Sequence, residues 1–169
     1  MVTLSDFLPP DTRDSGYIFN QLKEGNVFAI KLNNKDHGID CQGHPDRRKF
    51  CIVLGKRNDD LIVAIALINS EINANVDQEV KDLHIDISQN EYPFLDYDSK
   101  IDASKFIEIQ KEYFKKNINS TDDCKVFHST ISEELLGKII TNITSSSLFI
   151  PKLKKKYPFF NRKGKAENN

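Results

Sequence analysis

The chain has 169 residues, of which 38% are hydrophobic and 29% charged, one domain's length with enough apolar material for a core. No stretch approaches the ~20 apolar residues that span a bilayer, so no membrane partner is expected. The opening MVTLSDFLPPDTRD has neither a basic start nor an apolar run, so no secretory leader is expected. The odd count of three cysteines, Cys41, Cys51 and Cys124, points to free thiols in a reducing cytoplasm and not to a disulfide framework.

The net charge of −1 conceals an asymmetry. Seven Lys/Arg and no acid lie between Pro151 and Lys165, leaving 17 bases against 24 acids in residues 1–150. An acidic body with a basic tail has two readings, a tail that meets nucleic acid or a solvated, frayed terminus.

In chain order, Tyr17, Ile18 and Leu22 sit at helical spacing between Ser15 as N-cap and Gly25 as stop, predicting a short N-terminal helix. Residues 26–33 alternate, with Phe28, Ile30 and Leu32 on one side, and predict a strand. The polar segment 34–49 reads as a long loop, a class of segment that is usually functional or mobile. The apolar runs 50–57 and 61–69, joined by Asn58-Asp59-Asp60, predict a buried hairpin. Residues 83–88 alternate as a half-buried strand, and 91–102 open on a Pro-containing turn. Residues 104–114 fit a strand in their first half and a helix in their second, 116–123 reads as a loop, and 124–129 as a further strand. From Thr130 to Ser146, Ile131, Leu135, Ile139 and Ile143 recur at i, i+4, an amphipathic helix with Thr130 and Glu133 as capping box. Strands first and a helix last predict an α+β fold whose antiparallel sheet curls into a small barrel.

Several chemistries lack support. Cys41-x-x-His44 and Cys124-x-x-x-His128 have ligand-like spacing, but the pairs are far apart and lack the Cys-x-x-Cys knuckle, so no metal is expected. No Gly-rich phosphate loop and no Gly-x-Ser-x-Gly elbow occurs, so no nucleotide cofactor or serine nucleophile is expected. What stands out is the cationic run His44-Pro45-Asp46-Arg47-Arg48-Lys49, placed where the long loop enters a buried strand. Guanidinium forks suit phosphate because they donate two parallel hydrogen bonds.

Taken in order, Gly25-Asn26-Val27, then Gly38-Ile39-Asp40-Cys41-Gln42-Gly43-His44, then Arg47-Arg48-Lys49 running into an apolar strand, and later Pro93 to Ser99, resemble the MazF/PemK toxin family over residues 25–146. The resemblance implies a small SH3-like barrel domain at 25–146, an N-terminal extension at 1–24 and a basic tail at 147–169. It implies a homodimeric, metal-independent endoribonuclease of a toxin–antitoxin system, with single-stranded RNA and a protein antitoxin as partners. The family's catalytic Arg maps to Arg47 or Arg48, and its Thr or Ser to Asn69 and Ser70. The sequence departs from the family pattern in two places: Lys49-Phe50 stands where Arg-Pro would be, so the Pro is absent, and Asn69 stands where Thr is usual.

The implied chemistry is self-consistent. Cleaving RNA without a metal requires the 2′-hydroxyl to attack its own phosphate, with charge stabilisation and proton transfer from the protein. Arg47 or Arg48 would stabilise charge, His44 would move protons, and Ser70 would orient a phosphate oxygen. Lys49, Asp40 and Ser99 are the expected RNA contacts beside them. Phe28, Tyr92 and Tyr97 are the candidates for stacking on bases. The rival reading is an SH3-like binding module that contacts nucleic acid or protein without cutting it. His84 and His128, in alternating segments, are expected to be structural.

Overall fold

The computed structural model describes residues 19–57, 62–118 and 129–161. The chain is a mixed α+β structure around one antiparallel sheet. Its strands are β1 (Asn26–Leu32), β2 (Arg47–Lys56), β3 (Ile62–Asn69), β4 (Ile85–Ile87), β5 (Ser99–Gln110) and β6 (Ser129–Thr130), in the spatial order β4-β5-β3-β2-β1-β6. The helices are α1 (Asn34–His37), α2 (Gln78–Asp82), α3 (Lys111–Ile118), α4 (Glu133–Ser145) and α5 (Leu153–Lys156), and a 3-10 turn covers Pro158–Asn161. No helix among the described residues is long and apolar enough to cross a membrane.

The expected hairpin forms, with Phe50 opposite Ile68 and Cys51 opposite Leu67; its turn at 58–60 lies outside the described residues. β2 starts earlier than its apolar run because Arg47 and Arg48 continue the ladder against Leu32 and Lys31 of β1. The segment expected as loop therefore ends at Asp46, and within it Asn33 caps α1 by accepting from the Asp36 amide at 2.7 Å. The ambiguous stretch 104–114 resolves into the end of β5 and the start of α3. The last long helix is capped by Ser132, whose Oγ accepts from the Leu135 amide at 3.1 Å. Thr130, expected as the cap, instead sits in β6 opposite Asn26 and takes a hydrogen bond from its side chain.

Side chains alternate across a sheet, and here both faces are covered. One face presents Val27, Ile52, Leu54, Ala66, Ile68 and Ile101, packed under Leu136, Ile139, Ile140 and Ile143 of α4. The other presents Phe28, Ile30, Leu32, Cys51, Val53, Ile65 and Leu67, closed by Phe19, Leu22, Ile39 and Phe114. Burial of each such side chain contributes about 1.5–3 kcal/mol before the entropy of ordering it. Across this second face α3 carries the chain back from β5 to β1: the Phe114 ring lies 5.5 Å from that of Phe28, and Tyr113 Oη donates to the Lys31 carbonyl at 2.7 Å. The sheet is open, not the closed barrel expected. β4 and β6 are its two ends, and no ladder joins them among the described residues.

The two segments expected to lie outside the barrel domain take part in the packing. Phe19 and Leu22 belong to the second core. Tyr157, with no exposed surface, and Phe160 belong to the first. The basic residues Lys152, Lys154, Lys155 and Lys156 stay exposed while the aromatic residues beside them dock, so this stretch is no frayed terminus. Arg162, Lys163, Lys165, Tyr17 and Ile18 lie outside the described residues.

Candidate functional site

Antiparallel pairing brings the start of β2, the end of β3 and the start of β5 to the same end of the sheet. There the apolar runs stop, and the polar residues that flank them meet. Asn69 lies opposite Lys100 of β5, and Lys49 Nζ donates to Asn69 Oδ1 at 2.8 Å. Alternation sends Arg47 and Lys49 to the face of Cys51, and Arg48 to the face of Phe50, whose ring its guanidinium covers at 5.4 Å. Arg47 and Arg48 are thus adjacent in sequence and opposite in direction.

Two concavities meet at this rim. The smaller, about 220 Å³, is lined by all three cations Arg47, Arg48 and Lys49, by Asn69 and Ser70, and by Tyr97, Ser99 and Asp96 from the segment leading into β5. The larger, about 790 Å³, opens on the other side beneath residues 70–77, and Arg47, Lys49, Asn69 and Ser70 line it too. Among the expected contacts, Asp40 lines this larger space, its Oδ1 accepting from the Gln42 amide at 2.9 Å. Ser99 is buried, with its hydroxyl donated to the Tyr97 carbonyl, whereas the Tyr97 side chain is 58% exposed.

Two expectations are corrected. Phe28 has no exposed surface and packs edge-on against Phe114, because the apolar face of β1 is turned into the second core; it offers no ring to a base. His44 is exposed in the turn after Cys41 and lines neither concavity, so it is not placed to move protons there. Cys41 is buried, its thiol directed at the carbonyls of Leu32 and Ile39, and Cys124 and His128 lie outside the described residues. Among the described residues, no three His, Cys, Asp or Glu side chains gather as a metal-binding group.

The electrostatics centre on Lys49. Burial lowers its pKa, and Arg47, on the same face, lowers it further; Cys51, Asp40 and Cys41 act the other way and are outweighed. Deeper in the larger concavity is a cluster that the sequence does not announce. Asp102 Oδ1 accepts from Ser104 Oγ at 2.6 Å and lies 3.7 Å from His84 Nε2. His84 Nδ1 is 2.9 Å from the Val80 carbonyl, so Nδ1 carries the hydrogen, since a carbonyl only accepts. His84 is hydrogen-bonded as expected, but it also forms part of the wall. Only the fold places it beside Asp102, since the two are far apart in sequence and not paired in the sheet.

No protein-family model matches this chain, and no curated protein does either.

Proposed function

We propose that this protein cleaves single-stranded RNA as the toxin of a toxin–antitoxin pair, with the sheet end as its site and its sheet as an opened form of an SH3-like barrel. The observation that carries the reading is the meeting of Arg47, Arg48 and Lys49 with Asn69 and Ser70 around one concavity. A phosphodiester set there meets guanidinium groups that donate paired hydrogen bonds and stabilise the charge that grows on phosphorus as the 2′-hydroxyl attacks. Tyr97, exposed at the mouth, offers a face for an unpaired base. The scheme needs no metal. A second copy of the chain, a protein antitoxin and a cytoplasmic setting belong to the same reading.

One observation favours the rival, a binding module that does not cut: Arg47 and Arg48 point to opposite faces of the sheet, which suits straddling a backbone as well as converging on one phosphorus.

Purified protein incubated with single-stranded RNA and a chelator distinguishes the two. Cleavage leaving 2′,3′-cyclic phosphate ends, reduced about 10²–10³-fold in the Arg47→Ala, Arg48→Ala double variant, is the expected result. Growth should arrest on induction of the parent and resume with the double variant. RNA that is bound and released uncut, with no arrest, establishes the binding module instead. Cleavage undiminished in the double variant removes the site.

A further inference from the structure

We propose that Lys49 is the proton acceptor of this site, taking the 2′-hydroxyl proton while Arg47 holds the phosphate oxygens. The inference rests on the RNA-cleaving reading and adds to it the group that moves the proton.

The geometry is specific. Lys49 lies on the same face of β2 as Arg47 and the buried Cys51, and it lines both concavities. Its Nζ donates to Asn69 Oδ1. A neutral amine that gives one hydrogen to Asn69 keeps its lone pair in another tetrahedral direction, and the amide nitrogen of Asn69 is left to donate in its turn. Among the described residues no carboxylate lies within ion-pair distance of Lys49. The charged and titratable groups that act on it are Arg47 and Cys51 from β2 and Asp40 and Cys41 from the loop, and their balance together with burial lowers its pKa, which makes the neutral amine easier to reach than at an exposed lysine. A guanidinium cannot serve, because it keeps its proton at any ordinary pH. His44 is outside both concavities, and His84 lines only the larger one, with its Nε2 turned to Asp102 at 3.7 Å.

The step balances. The 2′-hydroxyl proton passes to Lys49 Nζ, which becomes an ammonium. The 2′-oxygen forms a bond to phosphorus as the bond from phosphorus to the 5′-oxygen breaks. The 5′-oxygen takes a proton from water, and the ammonium returns its proton to solvent after the products leave. The products are a 2′,3′-cyclic phosphate and a 5′-hydroxyl.

The test compares parent, Lys49→Arg, Lys49→Met and Arg47→Ala in the full chain on a single-stranded oligonucleotide across pH. Thermal melts report whether each variant is folded, and NMR of labelled lysine, assigned with Lys49→Arg, follows the amine in the free protein. The expected result has five parts. The parent rate rises tenfold per pH unit up to the NMR midpoint of Lys49, and that midpoint lies below those of the exposed lysines. Lys49→Arg binds the oligonucleotide within about threefold of the parent, cuts at least about 100-fold more slowly, and loses the pH dependence. Lys49→Arg or Lys49→Met cutting near the parent rate while Arg47→Ala is inactive overturns the role of Lys49 and spares the RNA-cleaving reading. A Lys49 midpoint among those of the exposed lysines does the same. A parent that cuts no RNA overturns both.

Discussion

Gly55 shows how one residue can hold two elements together. It sits in β2 where the register with β3 shifts, between Val53 and Gly55. The ring of Phe159 fills the space where its side chain would be, so a Cβ added there comes within 2.2 Å of Phe159 Cδ1. The ring belongs to the packed aromatic group of Tyr157, Phe159 and Phe160 and cannot swing aside freely. Gly55→Ala should therefore cost about 1–3 kcal/mol, read in calorimetry as a melting point lower by about 2–4 °C per kcal/mol for a chain of this size. Under the proposed function, RNA binding at the rim, which is the other end of β2, should be unchanged in this variant. Lys49 is the converse case, a residue whose sequence neighbours announce charge, while its burial and its bond to Asn69 are set by strands that meet it from elsewhere.

Among the elements, the link between β5 and the C-terminal segment runs through a carboxylate whose titration folding shifts. Glu108 of β5 accepts from Lys156 Nζ at 2.8 Å and from the Tyr157 hydroxyl. Burial alone raises its pKa; the hydrogen bonds from Lys156 and Tyr157, with the charges of Lys156 and Arg57, outweigh burial and hold it below the usual carboxylate value of 4.5. A carboxyl depressed by folding stabilises the folded state above its unfolded pKa, and that contribution disappears as pH falls through the folded value. The docked turn Pro158–Asn161 should thus lose hydrogen-exchange protection in acid before the sheet does. Glu108→Gln should show lower protection there at neutral pH and approach the parent as the pH drops below about 4. Equal protection in parent and variant at neutral pH would show that the aromatic packing alone holds the turn.

For the whole molecule, the two-sided core sets what can be removed. The face of the sheet under α4 is completed by Tyr157 and Phe160, which come from beyond the expected barrel domain. Losing one large aromatic from a core costs about 3–5 kcal/mol, and a native domain has only about 5–15 kcal/mol in total. A chain ended at Ser147 should lose its cooperative melt and bind an apolar dye, with β2 and β5 exposed where those rings lay. A cooperative melt near that of the parent would show that the segment is dispensable after all.

Local pattern carried much of this architecture. The alternation of 26–33, the apolar runs flanking 58–60 and the i, i+4 rows of 131–143 each depend on neighbours a few residues apart, so β1, β2, β3 and α4 were legible, as were the cations at the mouth of β2. Local pattern states that a strand has an apolar face without stating what covers it. Phe28 therefore reads as a packing residue more readily than as a ring for bases, and the arrival of Phe114 from α3 decides for the core. Thr130 is the cap the sequence suggests, but pairing with Asn26 draws it into a strand and leaves Ser132 to cap the helix. The opposed directions of Arg47 and Arg48, the bond from Lys49 to Asn69 and the approach of His84 to Asp102 were likewise decided by the tertiary structure. Register and chain reversal bring those groups together across many residues, and no short-range periodicity encodes such distances.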